Sequence, residues 1–303
     1  MLREMKIPEP PEFTTEELKH AKETNNYRGI AFEWYKYVGQ MVALISNVQK
    51  ESPAFKQISN QQYHILVGLM NRCARLLLAN LHLSHKGKFG ETTSIVDRCI
   101  FESAIKIIWL CEQSSQEKFI RYLADGLKIE LDLKQYILRN IANRNGKNQV
   151  IEKRMLESIE KHIKAAEITD EEIKQSAKLP NIESILNAIG HNRLMYIAGQ
   201  RMGSHHVHGT WPSLVFHYLD TNDDGVNFTP RGNDAVTNTN QFFFGSLLLI
   251  KASMSYCNYV LDEEGAKVFL DILRYCEEEI LKVFDMSGGD DFKEEELTMV
   301  ITS

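Results

Sequence analysis

Residues 54–179 contain no proline, and apolar residues recur three and four positions apart across that stretch. Proline breaks a helix interior by removing a hydrogen bond and colliding with the preceding turn, so its absence over such a span permits long helices. From Ser59 onward, Leu66, Leu69, Met70, Cys73, Leu76 and Leu77 form one stripe, while Asn71, Arg72 and Arg75 take the other side. Residues 93–111 are apolar almost all round, which marks a central, buried helix. The next helix is predicted from 116 to about 145, where Gly146 stops it. Further helices are expected at 15–24, opened by Thr14 and Glu17 as a capping box, and at 28–50, 150–166, 181–188 and 239–284, the last with a break near Gly265. No stretch sustains a period of two. The predicted fold is all-α: a multi-helix bundle with long central helices, one long polar loop at 219–238 and an acidic C-terminal tail. The expected division is an N-terminal arm with helices at 1–56, a helical core domain at 57–284 and the tail at 285–303.

A chain of 303 residues that is 43% hydrophobic and 25% charged can bury a sizeable core, which excludes a disordered chain and a small disulfide scaffold. Cys73, Cys99, Cys111, Cys257 and Cys276 are odd in number, form no Cys-x-x-Cys pair and sit in apolar contexts, so they read as reduced core thiols. No apolar stretch follows Met1, so no signal peptide is expected. The longest greasy run, 242–250, is shorter than the roughly 20 residues a bilayer span needs. A cytoplasmic protein without membrane attachment is the expectation. The formal charge of −6 provides no global basic field for nucleic acid. Locally, Lys134, Arg139, Arg144, Lys147, Lys153 and Arg154 face one acid, Glu152, either as a solvated helix face or as a surface for RNA or an acidic partner.

Five histidines, His191, His205, His206, His208 and His217, fall close together. If the backbone stays helical through Gly203, Arg201, Ser204, His205 and His208 stand at i, i+3, i+4 and i+7, on one face, with His206 pointing elsewhere. Gly209 and Pro212 would then end the helix. Arginine offers a fixed fork of donors suited to a phosphate, and histidine can move a proton near neutral pH. The two within two turns form a minimal kit for cleaving a phosphodiester without metal: the RNA 2′-hydroxyl as nucleophile, histidine as base or acid, arginine holding the developing charge. On the central helix Arg98, Glu102 and Lys106 are charges in apolar surroundings and require partners. They form either an internal Arg98–Glu102 salt bridge or a seam in which Glu102 orients Arg201 or a histidine.

Two alternatives concern metals. Asp220-x-Asn222-x-Asp224-Gly225 begins like a calcium loop, but Arg231 stands where a glutamate should close it. The histidine cluster, aided by Asp220, Asp223 or Asp224, is a possible ligand set for zinc or another metal, although His205 and His208 lack the i, i+4 spacing of a zinc-protease helix.

Arg98-x-x-x-Glu102 on an apolar helix, followed downstream by Tyr196 and Ser204-x-x-Val207-His208-Gly209-Thr210, resembles a family of helical bacterial proteins catalogued as a domain of unknown function. That resemblance spans roughly residues 57–284 and implies a helical fold. More distantly, Arg201 followed after six residues by His208 is similar to the signature of HEPN ribonucleases, and His206 satisfies the same spacing rule. The HEPN resemblance implies a dimeric, metal-independent RNase of toxin or antiviral defence systems, with a site at the dimer interface and no cofactor.

Three readings follow. The first is an RNase with Arg201, His208 and His205 as catalytic candidates and Ser204, His206, Arg98, Glu102 and Tyr196 in support, acting on RNA as a homo-oligomer under a regulatory protein or nucleotide. The second is a non-catalytic helical module whose polar seam binds a nucleotide or protein. The third is a metal-dependent hydrolase.

Overall fold

The computed structural model describes residues 6–112, 114–222 and 227–288. It is helical, as the apolar spacing predicts. The helices are α1 (Thr15–Thr24), α2 (Arg28–Ser46), α3 (Asn60–Lys86), α4 (Gly90–Cys111), α5 (Gln116–Asn143), α6 (Val150–Ala166), α7 (Asp170–Gln175), α8 (Ile182–Ala188) and α9 (Arg193–Tyr196). A π-helical segment, Ile197–Arg201, leads directly into α10 (Met202–His208), which is followed by α11 (Trp211–Tyr218). A hairpin of β1 (Leu219–Thr221) and β2 (Phe228–Pro230) precedes α12 (Thr239–Val260) and α13 (Glu263–Gly288). The strands are antiparallel with Asp220 opposite Thr229.

Several boundaries differ from expectation for local reasons. The helix begun at 28 ends at Ser46, where Asn47 caps it, rather than at 50. The break expected near Gly265 lies at Leu261–Asp262, and the Ala266 N–H is taken by the Asp262 carbonyl in the first turn of α13. Pro212 opens α11 instead of ending the preceding helix, since a proline in the first turn lacks only an N–H that has no helical partner there. The expected polar loop at 219–238 contains the hairpin. α13 continues through Gly288 into the stretch expected as tail, and 289–303 lie outside the described residues.

The chain forms two compact units. The larger comprises residues up to 58, 66–112 and 182 onward. Its core is organised around α12, which packs on α2, α4 and α13 and buries Phe242, Phe243, Leu249 and Ile250, with Phe242 against Tyr35 and Phe243 edge-to-face with Phe284. Asp97 is a partly buried carboxyl of this unit. Asp97 accepts hydrogen bonds from Asn80 (2.5 Å) and Gln241 (2.7 Å), with the Tyr35 hydroxyl alongside. Burial outweighs these bonds and pushes its pKa up to about 7.

The smaller unit comprises residues 59–65 and 113–181. α5 packs on α6 and α7 around Ala124, Leu127, Leu131, Ala166, Ile168 and Ile173. The turn into α6 is fixed by Gly146 at φ 81° and by the Arg144 guanidinium on both oxygens of Glu152 (2.5 and 2.6 Å).

Candidate functional site

The histidine-bearing helix lies on α4 because two glycines let it approach. A Cβ on Gly199 would come within 2.2 Å of the Phe101 ring, and one on Gly203 within 3.0 Å of the Arg98 Cβ. Their i, i+4 spacing makes a groove for the α4 side chains. The π-helical segment carrying Gly199 sits at this contact, and π turns inside helices frequently mark functional sites.

Across the contact, Arg98 pairs with Glu102 at 3.2 Å, and Glu102 accepts from Gln200 Nε2 at 2.9 Å. Glu102 therefore holds Gln200, the neighbour of Arg201, and bonds neither Arg201 nor a histidine. Arg98 Nε and Gln200 Oε1 are buried in this seam with no hydrogen-bond partner among the described residues.

On α10 the spacing argument holds, because Met202–His208 is regular helix and Arg201 keeps helical dihedrals. Arg201 and His208 are both exposed, and neither makes a hydrogen bond or ion pair with another described residue. Ser204 bonds back to the Gln200 carbonyl at 2.8 Å, and His205 Nδ1 meets the Thr210 hydroxyl at 2.7 Å. Gly209 adopts the left-handed conformation (φ 55°) that terminates the helix. Tyr196, at the end of α9, is partly buried, while His191 is buried before α9, remote in sequence from this face.

His206 faces the other way, into a polar cluster that the linear sequence does not reveal. Ser213 Oγ donates to Glu91 at 2.7 Å, so His206 Nδ1 donates to Ser213 across 3.2 Å. The Tyr218 hydroxyl donates to the other oxygen of Glu91. His217 Nδ1 donates to Asp234 Oδ1 at 2.6 Å, and its ring meets that of His206 edge-to-face at 5.0 Å. The His217 side chain is 1% exposed and its Nε2 has no hydrogen-bond partner. Burial first, and the neighbouring His217 second, hold the His206 pKa below its ordinary value, so that ring is neutral near pH 7. Ser213 and His217 stand at i, i+4 behind a Thr210-Trp211-Pro212 helix start, a signal the sequence contains. Glu91 and Asp234 come from distant segments and carry no such signal.

The remaining candidates resolve simply. Arg231, which occupies the closing position of the calcium-like loop, pairs with Asp220 at 2.8 Å, while Asp223, Asp224 and Gly225 lie outside the described residues. Among the described residues no group of three or more His, Cys, Asp or Glu side chains is placed to hold a metal ion. Half of the basic run is tied up within the smaller unit: Arg144 with Glu152, Lys134 with Glu160 and Lys153 with Glu157. The cysteines are free thiols, and burial pushes Cys73, Cys257 and Cys276 up to about 12. Among the described residues no helix is long and apolar enough to cross a membrane.

No curated protein and no solved structure matches the chain. Residues 63–226, more than half of its length and including α4, α10 and α11, match the model of a family of unknown function, DUF5677, and the chain belongs to that family.

Proposed function

We propose that the exposed face of α10 is a metal-independent, HEPN-like RNA-cleaving site, with Arg201 as the phosphate clamp and His208 as the proton carrier. One observation carries the reading: Arg201 and His208 share a helical face and are unengaged, whereas His205 and His206 beside them are taken by Thr210 and Ser213. That difference favours His208 over its neighbours. A guanidinium keeps its charge at any physiological pH and suits the transferring phosphate, and an imidazole can relay the 2′-hydroxyl proton.

The test is incubation of the full chain with RNA in the presence of EDTA. Cleavage with cyclic-phosphate ends, lost in Arg201→Ala and His208→Ala at unchanged melting temperature, is the expected result. Cleavage that survives both substitutions or stops with chelator overturns it, and so does the absence of cleavage.

A further inference from the structure

Directly after His208 and the Gly209 turn, α11 exposes an aromatic surface. Trp211 is 59% exposed and Phe216 55%, and the Trp211 ring is held edge-to-face by Phe228 at 5.3 Å. Trp211 and Phe216 border an open cleft of about 520 Å³ whose other walls include Pro212, Val215, Leu219 and Ala235. Its cation, Arg231, is anchored at the rim by Asp220 Oδ1 at 2.8 Å and by the Phe216 carbonyl. Clefts of this size with apolar walls and a few fixed polar groups suit small flat molecules.

We propose that this cleft is a base-binding subsite for single-stranded RNA, taking an unpaired nucleobase stacked on Trp211; the identity of the strand rests on reading α10 as an RNA-cleaving face. Three arguments converge. Trp211 follows His208 by three residues, so their Cα atoms lie within about 11 Å, which puts Trp211 within reach of a strand held at His208. Exposed aromatic rings grip splayed-out bases by stacking, which a duplex, with its bases already paired and stacked, does not permit. With a net charge of −6 the chain provides no global basic field, so stacking on Trp211 adds affinity to the local charge of Arg201 and Arg231.

The experiment uses the full chain carrying His208→Ala, titrated with a short mixed-sequence RNA oligonucleotide, single-stranded or annealed to its complement. Trp34 and Trp109 are buried, so quenching of the exposed indole reports on Trp211. The single strand is expected to quench and the duplex not. Direct binding by anisotropy is expected to weaken about tenfold in Trp211→Ala, the cost of one lost base stack, and to be largely restored in Trp211→Phe. In the cleaving protein the same change raises KM and leaves kcat in place. Quenching without cleavage by the unsubstituted chain supports the subsite and sinks the nuclease reading. Cleavage with KM and binding indifferent to Trp211→Ala does the reverse. Equal binding of duplex, or self-association through α11 in place of RNA binding, overturns the subsite.

Discussion

His217 Nδ1 and Asp234 Oδ1 lie 2.6 Å apart, and the same carboxylate accepts the Glu91 amide at 3.1 Å and the Ala235 amide at 2.6 Å. Asp234 thus ties α11, the first turn of α4 and its own loop to one another. A carboxylate at the start of a helix also meets the positive end of the helix dipole. Asp234→Ala leaves the buried His217 N–H and the Glu91 amide without their acceptor, which is expected to lower unfolding stability by about 1–3 kcal/mol. Urea denaturation measures it. Asp220→Ala, which removes the partner of Arg231 from an exposed pair, serves as the contrast and is expected to change stability by less than about 1 kcal/mol. Equal effects from the two would remove the structural role given to Asp234.

The glycine groove makes a ranking. Gly199→Ala places a methyl against the Phe101 ring, which is itself buried, and overpacking of this kind costs about 1–3 kcal/mol. Gly203→Ala meets the Arg98 Cβ at 3.0 Å, a contact that a shift of a few tenths of an ångström relieves, and alanine favours helix over glycine by up to about 1 kcal/mol. Gly203→Ala is therefore expected to be near neutral and Gly199→Ala clearly destabilising. Thermal melts of the two variants side by side read the order, and the reverse order contradicts the packing described for α4.

These glycines also show where the sequence was readable and where it was not. Apolar periodicity and helix caps are local, and they locate α1, α5 and α6 nearly to the residue. The spacing of Arg201 and His208 rests on helical backbone from Arg201 through α10, which the dihedrals show. The π-helical segment carries no local spacing signal, and the approach of Gly199 to Phe101 within it joins residues far apart in the chain. Pro212 is ambiguous in the sequence, because a proline shortly after Gly209 fits the end of one helix as well as the start of the next. The Glu91–Ser213–His206 and His217–Asp234 links depend on three segments meeting, which no spacing rule encodes. The apolar surroundings of Glu102 demand partners for it, but only packing decides that Gln200 supplies one.

The partly buried Asp97 gives a pH dependence with a definite sign. Its ordinary pKa is 3.8 and burial raises it to about 7, so the folded state holds this proton more tightly than the unfolded chain does. Its contribution to stability is complete below about pH 4, declines as pH rises toward 7 and is gone above that, by at most about 1.4 kcal/mol per pH unit. Asp97→Asn removes the titration while keeping a planar polar group among Asn80, Gln241 and Tyr35. The buried Asn80 Oδ1, which has no hydrogen-bond partner, can accept from the new amide. Relative to the unsubstituted chain, Asp97→Asn is expected to gain stability between pH 5 and 7.5, measured by urea midpoints across that range. A constant difference over the range would show that Asp97 does not titrate there.

His206 and His208 separate structure from chemistry, although one residue lies between them. His206 lies in the Ser213–Glu91 cluster, against the His217 ring, so His206→Ala leaves Ser213 without a donor and opens space beside a buried imidazole. A loss of about 1–3 kcal/mol in stability is expected. His208 is exposed and unengaged, and His208→Ala is expected to stay within about 0.5 kcal/mol of the parent. Activity should divide the opposite way. RNA cleavage is expected to vanish in His208→Ala, whereas His206→Ala, assayed well below its melting temperature, should retain it at reduced level. If His206→Ala abolishes cleavage while still folded, and His208→Ala does not, then the proton carrier belongs to the buried cluster and the exposed face of α10 is not the reacting surface.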